Sequence, residues 1–231
     1  MPIAAFKDVC MDAADALAQA RFWSTALDAP LVDLGDGSAR LDPPPGGSPA
    51  EAIWIDPVPE PRTVKTRVHL DLRADPRPLI AAGATVVSEP GADPWWLLAD
   101  PEGNQFCAFP PKPGDRLGVF ELIVDADDAI AQATWWASVT DGTVHTTDRG
   151  GWAWVEDAAG FPWQSWVFNP VPESKAAKNR LHWDVQLPGS GPDALVGAGA
   201  RILREPDDVI SWWIMGDPEG NEFCAFAGKS E

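Results

Sequence analysis

The chain has 231 residues, 45 percent of them apolar, and a formal net charge of −18. Such a surface repels nucleic-acid phosphate and anionic headgroups, so neither nucleic acid nor a membrane is expected as a partner. No stretch approaches the ~20 apolar residues of a membrane span, and MPIAAFKDVCMD lacks the basic and apolar regions of a signal peptide, so a cytoplasmic protein is expected.

In chain order, Ala5 to Met11 is a short apolar stretch suited to a strand. From Asp12 or Asp15 to about Leu27, Ala16, Leu17, Ala20, Trp23 and Leu27 recur at helical spacing, with Asp able to cap the start. Short segments broken by Gly and Pro follow; Asp42 to Pro49 (DPPPGGSP) is a loop, and Ala52 to Ile55 a strand. Lys65 to Arg73 alternates strictly, with His69 and Asp71 on a polar face and Val68, Leu70 and Leu72 on an apolar one. Next come a helix over Asp75 to Ala82 and strands at Ala84 to Val87 and Trp95 to Ala99. A turn at Asp100 to Asn104 leads to a last strand at Gln105 to Phe109.

The second half repeats the first. DPEGNQFCAF, starting at Asp100, returns as DPEGNEFCAF at Asp217, so nine of ten residues recur at a spacing of 117. Asp56 to Leu72 aligns on Asn169 to Val185, and Asp15 to Ser24 on Asp128 to Ala137, both at a spacing of 113. The GSGP beginning at Gly189 reconciles the two spacings. Two domains, 1–109 and 116–231, joined by a Pro-rich linker at 110–115, follow. Each reads βαβββ twice, an α+β architecture.

Three cysteines, Cys10, Cys107 and Cys224, are too few for a disulfide framework and fit reduced thiols. There are 13 Trp and no Tyr. Within each Trp pair beside the hairpin, neighbours face opposite sides, so one is expected to face a cavity. Trp96 and Trp213 are taken as the cavity-facing members, together with His69, Asp71, Cys107, His182, Asp184 and Cys224. Flat aromatic faces with a few polar groups suit a planar or hydrophobic ligand.

The combination of ARFW in the first helix, PVPE before the His-x-Asp strand and DPEGN-x-F at the hairpin resembles the vicinal oxygen chelate superfamily, and more narrowly its glyoxalase-like domains. The resemblance implies that pairs of βαβββ modules curve into open barrels, each around a cavity. It also implies a divalent-metal site with one donor from each of four strands. Carried over, that set is Asp8, Asp56, His69 and Cys107 in the first half, and Glu121, His182 and Cys224 in the second, where Asn169 replaces Asp56. Cys in place of the usual last-strand Glu favours zinc over magnesium, manganese or ferrous ion. The expected function is binding of a small hydrophobic or aromatic molecule, as in resistance proteins of that superfamily. The alternatives are a metal-dependent lyase, isomerase or dioxygenase, and a structural or partner-binding module with filled cavities. Duplication suggests a monomeric pseudo-dimer, or a homodimer.

Overall fold

The computed structural model describes residues 1–148 and 150–228; residue 149 and the end of the second expected domain, 229–231, lie outside the described residues. Four βαβββ modules are present. The first comprises β1 (Ala5–Ala13), α1 (Ala16–Leu27), β2 (Leu31–Asp33), β3 (Ala39–Leu41) and β4 (Ile53–Pro57). The second comprises β5 (Val68–Arg73), α2 (Pro76–Ala81), β6 (Thr85–Ser88), β7 (Trp96–Ala99) and β8 (Gln105–Phe109). The third comprises β9 (Gly118–Ala126), α3 (Ala129–Thr140), β10 (Thr143–Thr146), β11 (Ala153–Glu156) and β12 (Ser165–Pro170). The fourth comprises β13 (Leu181–Gln186), α4 (Asp193–Gly197), β14 (Arg201–Arg204), β15 (Trp213–Gly216) and β16 (Glu222–Phe226). No helix among the described residues is long and apolar enough to cross a membrane.

Local chemistry sets these elements. Asp15 caps α1 by accepting from the Ala18 amide, and Asp128 repeats this on α3 with Ala131. Such a cap contributes about 1 kcal/mol. Both helices end on a left-handed aspartate, Asp28 at φ 50° and Asp141 at φ 59°, a conformation that a short polar side chain tolerates. The loop expected at Asp42 to Pro49 holds only the start of a single 3-10 turn, Pro49–Glu51, while β2 and β3 form from segments too short to carry a periodicity.

The modules pair across the halves. One open sheet runs β14-β15-β16-β13-β1-β4-β3-β2, and the other β10-β11-β12-β9-β5-β8-β7-β6. Each therefore joins the first module of one half to the second module of the other. Antiparallel seams, β1 with β13 and β5 with β9, fuse them. The two modules of a single half thus lie in different sheets, and side chains rather than strand pairing hold them together.

The DPEGN turn supplies much of that link. Asp100 Oδ1 accepts from the Glu102 and Asn104 amides at 3.0 and 2.9 Å, closing the turn. Its Oδ2 accepts from Asn104 Nδ2 at 3.0 Å, from Trp23 Nε1 at 3.3 Å, and from Gln19 Nε2. Gln19 and Trp23 belong to α1, which serves the opposite sheet. The Glu102 carboxylate takes the Ala14 and Asp15 amides ahead of α1 and meets Arg180 Nη2 at 3.2 Å. Glu219 repeats the backbone contacts at Asp127 and Asp128, and Trp136 repeats Trp23 by donating to Asp217 Oδ2 at 3.2 Å.

Apolar packing follows the same geometry. Trp23 lies 5.1 Å from Phe106 of the other sheet, centroid to centroid, and Trp136 lies 5.1 Å from Phe223. Trp166 and Trp183 complete a buried cluster around Trp136, so part of the second half's Trp enrichment is core rather than contact surface. The halves also meet where Phe6 packs against Phe161, Trp163 and Trp166. Gly160 at φ +77° permits that approach, since a Cβ there would collide with the Phe6 carbonyl oxygen.

Candidate functional site

The side of β5 away from the core carries His69 and Asp71, while Val68, Leu70 and Leu72 are buried in the core. Register then brings the donors together. Asp71 lies opposite Cys107 on one neighbour and Glu121 on the other. In the second sheet Asp184 lies opposite Cys224 and Asp8, and His182 lies opposite Cys10. Two His-Asp-Cys trios result, each offering one donor atom per residue with all three atoms within 4.8 Å of one another. His69 Nε2 is 4.0 Å from Cys107 Sγ and 3.5 Å from Asp71 Oδ1; His182 Nε2 is 3.6 Å from Cys224 Sγ.

Module exchange regroups the donors expected within each half. Asp8 and Asp56 do not join His69 and Cys107 but share a sheet with His182 and Cys224, whereas Glu121 joins His69 and Cys107. Asp8 accepts from Trp54 Nε1 at 3.0 Å and pairs with Lys7 at 2.7 Å; Asp56 accepts from Cys10 Sγ at 3.2 Å. Asn169 instead donates to Asp125 at 2.9 Å. Cys10, which sequence reasoning missed, lies opposite His182, two residues after Asp8 and in phase on the same strand, so it stands near the second trio without belonging to it. Ile123 holds the corresponding place in the other sheet, so the two sites are not identical.

The tryptophan assignment also changes. Trp96 lies opposite Ala108 and, like Trp213, packs on the core, because it is in phase with buried Leu98. Trp95 and Trp212 take the polar side instead, beside Phe109 and Phe226 at centroid distances of 5.0 and 5.3 Å.

Electrostatically each trio is held neutral. Burial pushes His69 down to about 4, and burial with the Glu121 charge pushes Asp71 up to about 8. Burial raises Glu121 as well, and it raises the thiols of Cys107, Cys224 and Cys10, with nearby aspartates adding to the effect. His182 is lowered by burial, and Asp184 is raised by burial and then by Asp8. Neutral imidazole, carboxylic acid and thiol sharing one buried spot avoid the cost of uncompensated charge.

A pH dependence follows. Asp71 at about 8 stands above its ordinary 3.8, so its contribution to stability is full at low pH and is lost as pH rises through 8. His69 at about 4 stands below its ordinary 6.5, so its contribution is full above 6.5 and is lost as pH falls through 4. The two oppose each other between those limits; from 6.5 to 8 Asp71 acts alone within its trio. Unfolding free energy is expected to drop by roughly 2 kcal/mol across that window for this site, with Asp184 acting in the same direction. Urea titrations at several pH values check this, and Asp71→Asn should remove Asp71's share of the slope.

The donor chemistry fits a metal. Asp71 Oδ1, Asp184 Oδ1, Asp8 Oδ1 and His182 Nδ1 are buried polar atoms without a hydrogen-bond partner. One nitrogen, one oxygen and one sulfur are a suitable partial shell for zinc, leaving a fourth position open. Such an ion would act as a Lewis acid on a substrate oxygen.

The repeated pair of modules agrees with sequence and structural comparison. The chain belongs to the glyoxalase-like domain family, whose model matches residues 8–109 and again 121–226. No curated protein matches it by sequence. Among solved structures, glyoxalase I from Zea mays is similar with a TM-score of 0.66 at 13% identity, over 96% of this chain and 92% of that one. A mutant of the same enzyme gives 0.70 at 13% identity, over 96% and 93%. A putative dioxygenase from Bacillus subtilis gives 0.66 at 11% identity, over 97% of this chain and 85% of that one. At these identities the likeness establishes the fold.

Proposed function

We propose that the polar side of each sheet binds a small hydrophobic or aromatic molecule beside the His-Asp-Cys trio, and that the protein sequesters it. The observation that carries this is an aromatic wall with a cation next to each trio. In one sheet Trp95, Phe109 and Phe120 form it, with the Arg73 guanidinium 3.8 Å from the Phe120 centroid. In the other Trp212 packs on Phe226, and Lys7 Nζ stands 4.3 Å from that ring. Phe109 and Phe226 each follow the trio cysteine by two residues on the same strand, which puts wall and trio on one face. Flat apolar surface with few polar groups suits an aromatic ligand, and the cation favours one bearing negative charge. Both sheets are completed within one chain, which supports a monomeric pseudo-dimer. Titration with 1-naphthoate should give saturable tryptophan quenching that EDTA leaves intact. Trp95→Ala with Trp212→Ala should weaken binding of the probe about tenfold, measured by calorimetry; unchanged affinity would count against the wall.

A second reading, a divalent-metal-dependent lyase, isomerase or dioxygenase, is favoured by the trios themselves. Three convergent donors with orphaned carboxylate oxygens are what such chemistry requires. Chelation that abolishes both ligand binding and turnover would select this reading over metal-free sequestration.

A further inference from the structure

A cavity of about 790 Å³ holds neither trio. It lies between the halves, walled by the two crossings that lead from β4 to β5 and from β12 to β13, with the strand-end aspartates Asp12 and Asp125. Its volume is in the range of small-molecule sites. Most of its wall residues are related by the 113-residue repeat spacing, so the cavity is quasi-symmetric: Asp12 matches Asp125, Glu60 Glu173, Lys65 Lys178 and Arg67 Arg180.

Each charged pair reaches across to the other half. Lys65 Nζ bonds Asp125 at 2.8 Å and Lys178 Nζ bonds Asp12 at 2.6 Å. Arg67 Nη1 donates to the Glu173 carbonyl and Arg180 Nη1 to the Glu60 carbonyl. The walls are therefore braced without a ligand. The arginines are spent on this, with side chains only 12% and 10% exposed. The lysines are not, being 55% and 59% exposed. An ammonium has three N–H donors, and the bond to the buried aspartate uses one. Two donors on each lysine are left for water or a ligand.

The cavity wall also carries apolar side chains, among them Val171, Ala177 and a half-exposed Val64. Five cations face four carboxylates, in a chain whose overall charge is −18. Asp12 and Asp125 are buried against the lysines, and Glu60 and Glu173 sit at exposed positions. Anion-binding capacity is thus carried by two quasi-symmetric lysines in a cavity that also has apolar wall residues.

We propose that this inter-half cavity is a third binding site, separate from the two polar sheet faces, for an organic dianion with an apolar body, one carboxylate for each lysine. Calorimetry on the full chain with decanedioate, and with 1,10-decanediol as the uncharged comparator, tests it. The diacid should bind about tenfold or more tightly than the diol. Val64→Trp, which fills the cavity from a half-exposed position, should weaken the diacid at least about tenfold. Lys65→Gln with Lys178→Gln, which keeps a donor for each aspartate, should do the same. Trp95→Ala with Trp212→Ala should leave diacid binding unchanged, whatever it does to aromatic ligands on the sheet faces. Equal affinity for acid and diol, or full diacid binding by a folded Val64→Trp protein, would overturn the proposal.

Discussion

Asp100→Ala is expected to lower the unfolding free energy by about 3 kcal/mol, and Asp217→Ala to do likewise. Asp100 is 2% exposed and accepts from two amides of its own turn, from Asn104, and from Gln19 and Trp23 of α1. Truncation leaves these donors buried and unpaired, each costing about 1–3 kcal/mol before relaxation. The loss falls on the contact between modules of one half, because α1 and the hairpin belong to different sheets. Asp100→Asn separates the two roles: it retains one acceptor for the turn but turns an amide toward Gln19 and Trp23, giving an intermediate cost of about 1–2 kcal/mol. Urea denaturation should show a lower midpoint at unchanged m-value. A loss below about 1 kcal/mol for Asp100→Ala would mean that the motif serves the turn alone.

On the metal-dependent reading, zinc binds at the trios with release of about two protons per ion at pH 7, because carboxyl and thiol are both held protonated and must ionise to ligate. Calorimetry in phosphate and in Tris, whose ionisation enthalpies differ, reads the proton count directly. His69→Ala should weaken zinc at that sheet by at least about 100-fold, since even residues that only support a ligand are worth 10–100-fold. His182→Ala provides the same test for the other sheet, where Cys10 adds a further thiol nearby. Affinity that ignores both substitutions, or binding without proton release, would remove the metal reading. Because zinc must displace these protons, its affinity should also fall steeply as pH is lowered.

Most elements were legible because their signals are local. Asp15 as cap, the helical spacing of Ala16, Ala20 and Trp23, and the strict alternation of Lys65 to Arg73 placed α1 and β5, the strand starting three residues later than its alternation. The 113- and 117-residue offsets then carried those assignments into the second half. The strands β2 and β3, three residues each, were lost among Gly and Pro because so short a segment has no measurable period. Trp96 and Trp213 were given the wrong side of their strands: an adjacent pair shows only that one member faces each way, and the phase comes from Leu98 and Ala108, which decide the core.

The candidate site divides along the same line. His69 with Asp71, and His182 with Asp184, needed only the two-residue period of a strand. Which acid stands beside which histidine could not be read, because the seams join β1 to β13 and β5 to β9. All four are central strands buried on the core side, and nothing in their alternation marks a partner in one half over its equivalent in the other.

Sequence by itself determined the four modules, their order, the polar and apolar sides of the His-x-Asp strands and the duplication of the His-Asp-Cys pattern, because these depend on propensity and periodicity along the chain. Tertiary structure alone decided that modules pair between halves, that Asp8 and Asp56 stand with His182 while Glu121 stands with His69, and that a cavity opens between the crossings. The physical reason is that a strand's hydrogen-bonding edge carries no side-chain signature, so the choice between equivalent partners rests on the packing of the whole molecule.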